Sequence, residues 1–286
     1  MTGFARFVAI DWSGAQGKAH PGIAIAECAS GDAAPRLVPP PGRLWSRREV
    51  LDFICAQAAE PVLIGMDFSF SAPFVARGAY LPGEPTSDTA RDLWAYVDRA
   101  ARDDDLGAAS FLEARRGTHF YFGAADGNKR DFVHYRVCEH RYNALGGGKA
   151  STVYDAIGAA QVAKSSFAGM RLLHHLADTV PVWPFCAMPA HGALLVEIYT
   201  TIAARAAGVP KGRSKIKGPV ALDAALAHPA IASLPHVPLD NYDSHATDAV
   251  LAAAWLRRHA TKPELWHPEL LNDEIAQREG WTFGVV

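Results

Sequence analysis

Four short apolar runs constrain the fold of this chain more than any other feature of its sequence. Residues 6–11 read RFVAID, 22–28 GIAIAEC, 62–67 VLIGMD and 193–199 ALLVEIY. Their apolar residues are consecutive and do not alternate with polar ones, which is typical of strands buried on both faces of a sheet. Because segments with helical spacing lie between these runs, the sequence predicts an α/β fold with helices covering a central sheet.

The helices are predicted from apolar residues that recur every three or four positions. The predicted helices cover residues 47–58, 88–102, 151–178, 200–207, 220–228 and 244–259, and residues 110–123 are predicted to form a helix followed by a loop. Residues 44–45 and 281–286 are predicted to form short edge strands. In residues 73–189, Gly, Pro, charged and aromatic residues alternate without a long apolar run. We therefore predict a core domain of residues 1–72 and 190–286 with a mainly helical and loop insertion of residues 73–189.

Composition excludes several classes of protein. The 286-residue chain has 49% apolar residues and 28 Lys+Arg against 30 Asp+Glu, so it is neither disordered nor a polycation. It has no run of 18 apolar residues and no secretory leader pattern, so we expect a cytoplasmic protein with no membrane partner. Its four cysteines form no CxxC pair and are expected to be free thiols. The sequence leaves the oligomeric state open.

Acidic residues stand at or near the ends of the predicted strands. Asp11 follows FVAI, Asp67 follows VLIGM, and Glu197 lies inside ALLVEIY. Ligands of open α/β sheets bind beyond the carboxyl ends of the strands, where carboxylates without a cation repel one another. A divalent cation removes that repulsion, because hard cations take oxygen ligands. Either Asp can instead cap a following turn, and Glu197 can be solvated on an edge strand.

A further acid lies on the last of the long predicted helices. Asp248 shares a helix face with Leu251 and Trp255, and this face is expected to be buried. An acid near a helix N-terminus is also favoured by the helix dipole. Asp243 precedes the helix and is either a site residue or its N-cap. His245 lies one turn from Asp248, where it can tune a bound water, orient substrate or serve a structural role.

Four segments around these acids resemble the ribonuclease H-like superfamily, namely IDWSG, MDFSFSAP, VEIYTT and HATDAVLAA. Together they are most similar to the uncharacterised family called domain of unknown function 429, which has been grouped with predicted nucleases of that fold. The last segment also resembles the closing helix of Holliday-junction resolvases. The resemblance covers residues 5–72 and 190–260. It departs from the family pattern at FSFSAP, where a shorter IDAP-like motif is expected, so Ser69 and Ser71 are left without a role.

The resemblance implies a ribonuclease H-like three-layer α/β/α fold with a mixed central sheet and a site for Mg²⁺ or Mn²⁺. The implied activity is hydrolysis of phosphodiester bonds in nucleic acid, either DNA or RNA. Two ions about 3.5–4 Å apart would activate the attacking water and stabilise the leaving oxygen. Asp11 would bridge the ions, and Asp67 and Asp248 would complete their coordination. Asp243 and Glu197 are further candidates for this site.

Two stretches carry the positive charge expected of a nucleic-acid interface. Residues 205–217 hold five Lys/Arg and no acid, a pattern that neutralises phosphates but is also compatible with a solvated loop. The last four basic residues of this run are Lys211, Arg213, Lys215 and Lys217. Residues 115–149 interleave basic and aromatic side chains. Such a stretch suits single-stranded nucleic acid when the rings are exposed, and a core or an interface when they are buried.

Two other functions are compatible with the same fold. One is a nucleotide-binding phosphotransferase or ATPase of the actin-like type. The DWSGAQGK segment resembles the first phosphate loop of actin-like ATPases and sugar kinases, with Ser13, Gly14 and Lys18 as nucleotide-binding candidates. It lacks the leading Gly of the P-loop motif and the Ser/Thr after Lys18, and the chain has no second phosphate loop. The other alternative is a binding protein that kept the fold and lost the chemistry. In such a protein, Arg or Lys would neutralise the acids.

Overall fold

A mixed sheet of six strands runs through the described parts of the chain. The computed structural model describes residues 3–157, 162–210 and 216–286. Its strands are β1 (Arg6–Asp11), β2 (Ala24–Ala29), β3 (Arg36–Val38), β4 (Val62–Asp67), β5 (Val182–Trp183) and β6 (Leu194–Glu197). They lie side by side in the order β3-β2-β1-β4-β6-β5.

Strand direction decides which residues meet at the edge of the sheet. Strands β1, β2 and β3 pair antiparallel, whereas β4 pairs parallel to β1, and β6 pairs parallel to both β4 and β5. The carboxyl ends of β1, β4 and β6 therefore point to the same side. The strands predicted at 6–11 and 62–67 are confirmed, and those predicted at 22–28 and 193–199 are confirmed with shifted bounds.

Ten α-helices surround the sheet in the described ranges. They are α1 (Arg47–Cys55), α2 (Ala90–Ala100), α3 (Ala109–Glu113), α4 (Val137–Ala144), α5 (Val162–Leu176), α6 (Thr200–Ala206), α7 (Pro219–Ala227), α8 (Ser244–His259), α9 (Pro263–Trp266) and α10 (Asp273–Arg278). The helix predicted over 244–259 is confirmed at both ends. The sequence did not predict α4, α9 or α10. Across these ranges, no helix has both the length and the apolar character that a membrane crossing requires.

Both faces of the sheet are buried, as the consecutive apolar runs predict. In β1, Val8 and Ile10 face a cluster formed with α1, α2 and α5. Phe7 and Ala9 face a second cluster formed with α6, α7 and α8. Gly65 of β4 faces α8, where an added Cβ would lie 2.8 Å from a methyl carbon of Leu256, so the glycine permits the close approach of helix and sheet. The α/β class is thus confirmed.

Several predicted elements differ in the structure. Residues 151–157 are not helical, and the helix of this region is α5; residues 158–161 lie outside the described ranges. The edge strands predicted at residues 44–45 and 281–286 are reduced to single bridges, from Trp45 to His20 and from Thr282 to Glu197. Two-residue or isolated pairings of this kind leave little periodicity in a sequence.

Residues 73–189 are mostly helices and loops, and they also contribute to the central core. Strand β5 lies within this stretch and forms one edge of the sheet. Phe167 and Leu172 of α5 are fully buried in the same cluster as Val8 of β1. The stretch therefore forms part of the core of the fold and is not only a peripheral addition to it.

Candidate active site

Three aspartates from distant parts of the chain line one cavity. Asp11 ends β1 and Asp67 ends β4, and the two residues are direct partners in the parallel register. Asp248 lies in the second turn of α8, which packs on β1 and β2. All three line a cavity of about 520 Å³ at the carboxyl ends of the parallel strands. This is the position at which open α/β sheets bind ligands.

The surroundings of Asp67 disfavour its charged form. Burial, together with the negative charges of Asp11 and Asp248, raises the pKa of Asp67 to about 8. Thr200, the first residue of α6, opposes this shift because its hydroxyl donates a 2.7 Å hydrogen bond to Oδ2 of Asp67. Both neighbouring carboxylates therefore act on Asp67 in the same direction as its burial, against the charged form.

His245 and Asp243 occupy different positions at the start of α8. His245 lines the cavity, and its Nδ1 lies 3.3 Å from Oδ2 of Asp11. Its side chain is 42% exposed, so it stands where the cavity meets solvent. Asp243 is the N-cap of α8 and accepts a 2.9 Å hydrogen bond from the amide of Ala246. Because Asp243 is not among the residues that line the cavity, we assign it to helix capping and not to a metal site.

Glu197, predicted as a site residue, forms a buried ion pair with Arg136. The guanidinium of Arg136 donates to both of its oxygens, at 2.6 and 2.8 Å. The amide of Phe70 and the hydroxyl of Thr282 donate to the same carboxylate. A carboxylate offers about four lone-pair positions. These four bonds occupy them, so we do not count Glu197 among the ligands of a cation, although it lines the cavity.

The loop after β1 is held in place by a buried arginine. Arg47, which is fully buried, donates from Nε to the carbonyl of Ser13 at 2.9 Å and from Nη2 to the carbonyl of Ala15. A phosphate loop presents amide N–H groups to its ligand, whereas these carbonyls face a guanidinium. Lys18 pairs with Asp104 at 3.1 Å beside a separate cavity of about 230 Å³. Ser13 and Gly14 line the aspartate cavity, but the structure does not bring Lys18 to it.

Gly14 allows this loop to pack directly on the backbone of α5. An added Cβ would lie 2.1 Å from the carbonyl carbon of Lys164 and 2.2 Å from the amide nitrogen of Ser165. Trp12 makes a further contact there, because its indole N–H donates to the carbonyl of Ser165 at 3.0 Å. The structure thus gives Gly14 a packing role at this contact.

Gly14→Ala is expected to lower the free energy of unfolding by about 1–3 kcal/mol, because overpacking forces the backbone of the loop or of α5 to move. Urea denaturation measures this change. The matched control is Gly42→Ala, because an added Cβ at Gly42 meets no atom within 4 Å. Equal stability of the two variants would contradict the predicted clash.

Three of the five basic residues of the run 205–217 lie outside the described residues. Lys211, Arg213 and Lys215 fall within 211–215, which the structure does not describe. Lys217 is exposed. Ile216 is buried, and its carbonyl accepts a 3.3 Å hydrogen bond from Thr247, the neighbour of Asp248 in the chain. The C-terminal end of this run, residues 216–217, therefore lies beside α8, and the role of the run in binding nucleic acid stays a prediction.

Sequence reasoning missed several residues of the cavity. Thr200 belongs to the VEIYTT segment, yet only the structure shows that it orients Asp67. Tyr199 and Lys164 also line the cavity and were not predicted as site residues. Cys138 lines it too, but burial raises the pKa of its thiol to about 12, which disfavours the nucleophilic thiolate.

The donor chemistry suits a divalent cation, although a closed set of ligands is not formed. Within the three described ranges, no group of three or more His, Cys, Asp or Glu side chains is arranged so that it could hold a metal ion. Asp11 and Asp248 nevertheless raise the pKa of Asp67 through their charges. A cation among the three carboxylates would remove this repulsion.

Comparisons of this chain with models of protein families, with curated proteins and with solved structures find no match. No family is therefore shown for the chain. A function has to be argued from the geometry of the aspartate cavity and from the chemistry of its residues.

Proposed function

We propose that this protein is a divalent-metal-dependent phosphodiesterase with a ribonuclease H-like fold that hydrolyses nucleic acid. The observation that carries the proposal is the meeting of Asp11, Asp67 and Asp248 in one cavity, although they lie on three different elements. The mixed sheet with helices on both faces is the architecture that the sequence resemblance implies. The order of the IDWSG, MDFSFSAP, VEIYTT and HATDAVLAA segments adds support.

The side chains of the cavity have distinct roles in this proposal. Asp11, Asp67 and Asp248 would hold Mg²⁺ or Mn²⁺, which supplies positive charge for the scissile phosphate and makes water more acidic. Thr200 fixes the orientation of the Asp67 carboxylate through its hydrogen bond. His245 stands beside Asp11 at the open side, where its ring can accept a proton from water or deliver one to the leaving oxygen.

A panel of substrates tests this function. The chain is incubated with Mg²⁺ or Mn²⁺ and with labelled single-stranded and double-stranded DNA and RNA, and separately with bis(p-nitrophenyl) phosphate. We expect cleavage with either ion and none in EDTA. Cleavage that persists in EDTA would overturn the metal-dependent mechanism. If no substrate is cut although Mn²⁺ binds in calorimetry, the protein is a binding protein and the proposal is wrong.

Asp67→Asn is expected to stabilise the metal-free protein at alkaline pH. Folding raises the pKa of Asp67 from 3.8 to about 8, so its contribution to stability is complete below pH 3.8 and is lost as the pH rises through 8. Asn cannot ionise and can still accept the hydrogen bond from Thr200. The melting temperature of the variant should therefore exceed that of the wild type by about 2 °C or more at pH 8.5.

This difference should grow between pH 4.5 and 8 and then level off. Thermal denaturation in EDTA at pH 4.5, 6.5 and 8.5 measures it. Asp240→Asn, a substitution of an exposed aspartate, serves as the control and should follow the wild type at every pH. Parallel curves for wild type and Asp67→Asn would contradict the burial and charge repulsion assigned to Asp67.

A further inference from the structure

The aromatic side chains of residues 115–149 separate into two groups in the structure. Phe120 and Phe132 are buried in the core. Tyr142, on α4, lines the aspartate cavity instead. Its ring centre lies 5.5 Å from that of Tyr199, with the two rings inclined at 72°. The stretch therefore contributes one aromatic ring to the candidate site, paired with a ring from the connection between β6 and α6.

Tyr142 is fixed and supports Tyr199. Its hydroxyl donates a 2.7 Å hydrogen bond to the carbonyl of Gly147. The backbone of Gly147 packs against the same ring, where an added Cβ would lie 2.3 Å from a ring carbon. Tyr199 is partly exposed and also lines the cavity. A rigid ring beside a partly exposed ring is suited to stacking with a flat ligand.

The aromatic pair is adjacent to the acids. Tyr199 directly precedes Thr200, whose hydroxyl binds Asp67, so one short connection carries both the ring and the group that orients the carboxylate. Lys164, at the start of α5, adds a positive charge to the lining. The cavity thus combines a ring, a cation and three carboxylates, which match the base, the phosphate and the implied metal of one nucleotide unit.

We propose that the cavity accepts a single unstacked nucleotide, with its base against Tyr199 and its phosphate between Lys164 and the aspartates. This inference rests on the proposed function and names the substrate class for it. A cavity of about 520 Å³ has the size of a pocket for a small molecule. A paired base in a duplex has both faces covered by its neighbours, so it must leave the stack before it can contact an aromatic side chain. A single strand or a free nucleotide avoids this cost of unstacking, so we expect either of them to bind better than a duplex.

Binding measurements with and without a base test the inference. Calorimetry compares the affinity for pentathymidylate with that for an abasic strand of the same length. Ca²⁺ replaces Mg²⁺, and the oligonucleotides are checked for integrity after each titration. We expect the wild type to prefer pentathymidylate by roughly 5- to 150-fold, the range for stacking of one base. Tyr199→Ala should lose this preference and bind the abasic strand as the wild type does, whereas Tyr199→Trp should keep it.

Two further variants locate the contacts. Tyr135→Ala is the matched control, because Tyr135 belongs to the same aromatic stretch, is partly exposed and does not line the cavity, and it should bind both strands normally. Lys164→Gln should weaken the binding of both strands and reduce the slope of log affinity against log salt concentration by about one. Equal affinity of the wild type for the two strands, or for duplex and single-stranded DNA, would overturn the inference.

Two more measurements complete the test. One distinguishes a free nucleotide from a strand, and the other separates this inference from the proposed function. Thymidine monophosphate binding as tightly as pentathymidylate would identify a free nucleotide as the ligand, and much weaker binding would identify a strand. Hydrolysis of bis(p-nitrophenyl) phosphate, which has no base, reports on the proposed function alone. Hydrolysis without base preference would refute only the inference, and base preference without any hydrolysis would refute only the proposed function.

Discussion

Asp11→Asn is expected to reduce Mn²⁺-dependent hydrolysis at least about 100-fold and to leave the fold intact. A carboxylate that holds a catalytic cation is worth several kcal/mol in the transition state, and a 100-fold loss corresponds to about 2.7 kcal/mol. Asn has nearly the same shape as Asp, and its introduction removes one of the charges that raise the pKa of Asp67. Steady-state kinetics with bis(p-nitrophenyl) phosphate and calorimetric titration with Mn²⁺ measure the loss.

Asp243→Asn, at the start of α8, provides the matched comparison. Asp243 caps this helix and does not line the cavity, and Asn is as good an N-cap as Asp. Its activity should stay within about twofold of the wild type, a difference of less than half a kcal/mol. If both variants lost activity, the assignment of Asp243 to capping would be wrong. If neither did, the aspartate cavity would not be the active site.

The position of this cavity could be predicted from local sequence patterns. In each of two segments, a consecutive apolar run predicts a strand, and the acid after the run lies at the end of that strand. Because the two strands are parallel, Asp11 and Asp67 lie on the same side of the sheet. The start of α8 followed from the helical spacing of its apolar residues, and Asp243 lies directly before it as the N-cap. Asp248 then lies in the second turn, where it reaches the cavity.

The partner of Glu197 could not be predicted in this way. Its ion pair joins β6 to Arg136, which is 61 positions away in the stretch predicted to be an insertion. A pairing between two charged residues so far apart leaves no periodic or local pattern in a single sequence. The same reason explains why Lys18 was expected at a phosphate site, since its pairing with Asp104 depends on how distant loops pack.

Arg136→Met is expected to cause the largest loss of stability, about 3–5 kcal/mol, because removal of one partner leaves buried charges without compensation. Arg136 is 1% exposed. Besides Glu197 it binds Glu139, with its Nε 3.0 Å from Oε1 of that residue, and burial raises the pKa of Glu139. Its Nη1 also donates to the carbonyl of Glu279 at 3.0 Å. Folded proteins have a net stability of about 5–15 kcal/mol, so the variant should unfold at much lower urea concentration.

Glu197→Gln and the double variant Arg136→Met/Glu197→Gln complete a thermodynamic cycle that stays informative if Arg136→Met does not fold. Gln can still accept hydrogen bonds from Phe70 and Thr282. Arg136→Met leaves the carboxylates of Glu197 and Glu139 without their partner, and in the double variant only that of Glu139 remains charged. We therefore expect the double variant to be more stable than Arg136→Met alone, with a coupling energy of about 1–3 kcal/mol. Assayed below its melting temperature, Glu197→Gln should retain activity within a few fold of the wild type, because Glu197 lines the cavity without holding the cation. Loss of activity without loss of stability in Glu197→Gln would instead make this carboxylate a catalytic residue.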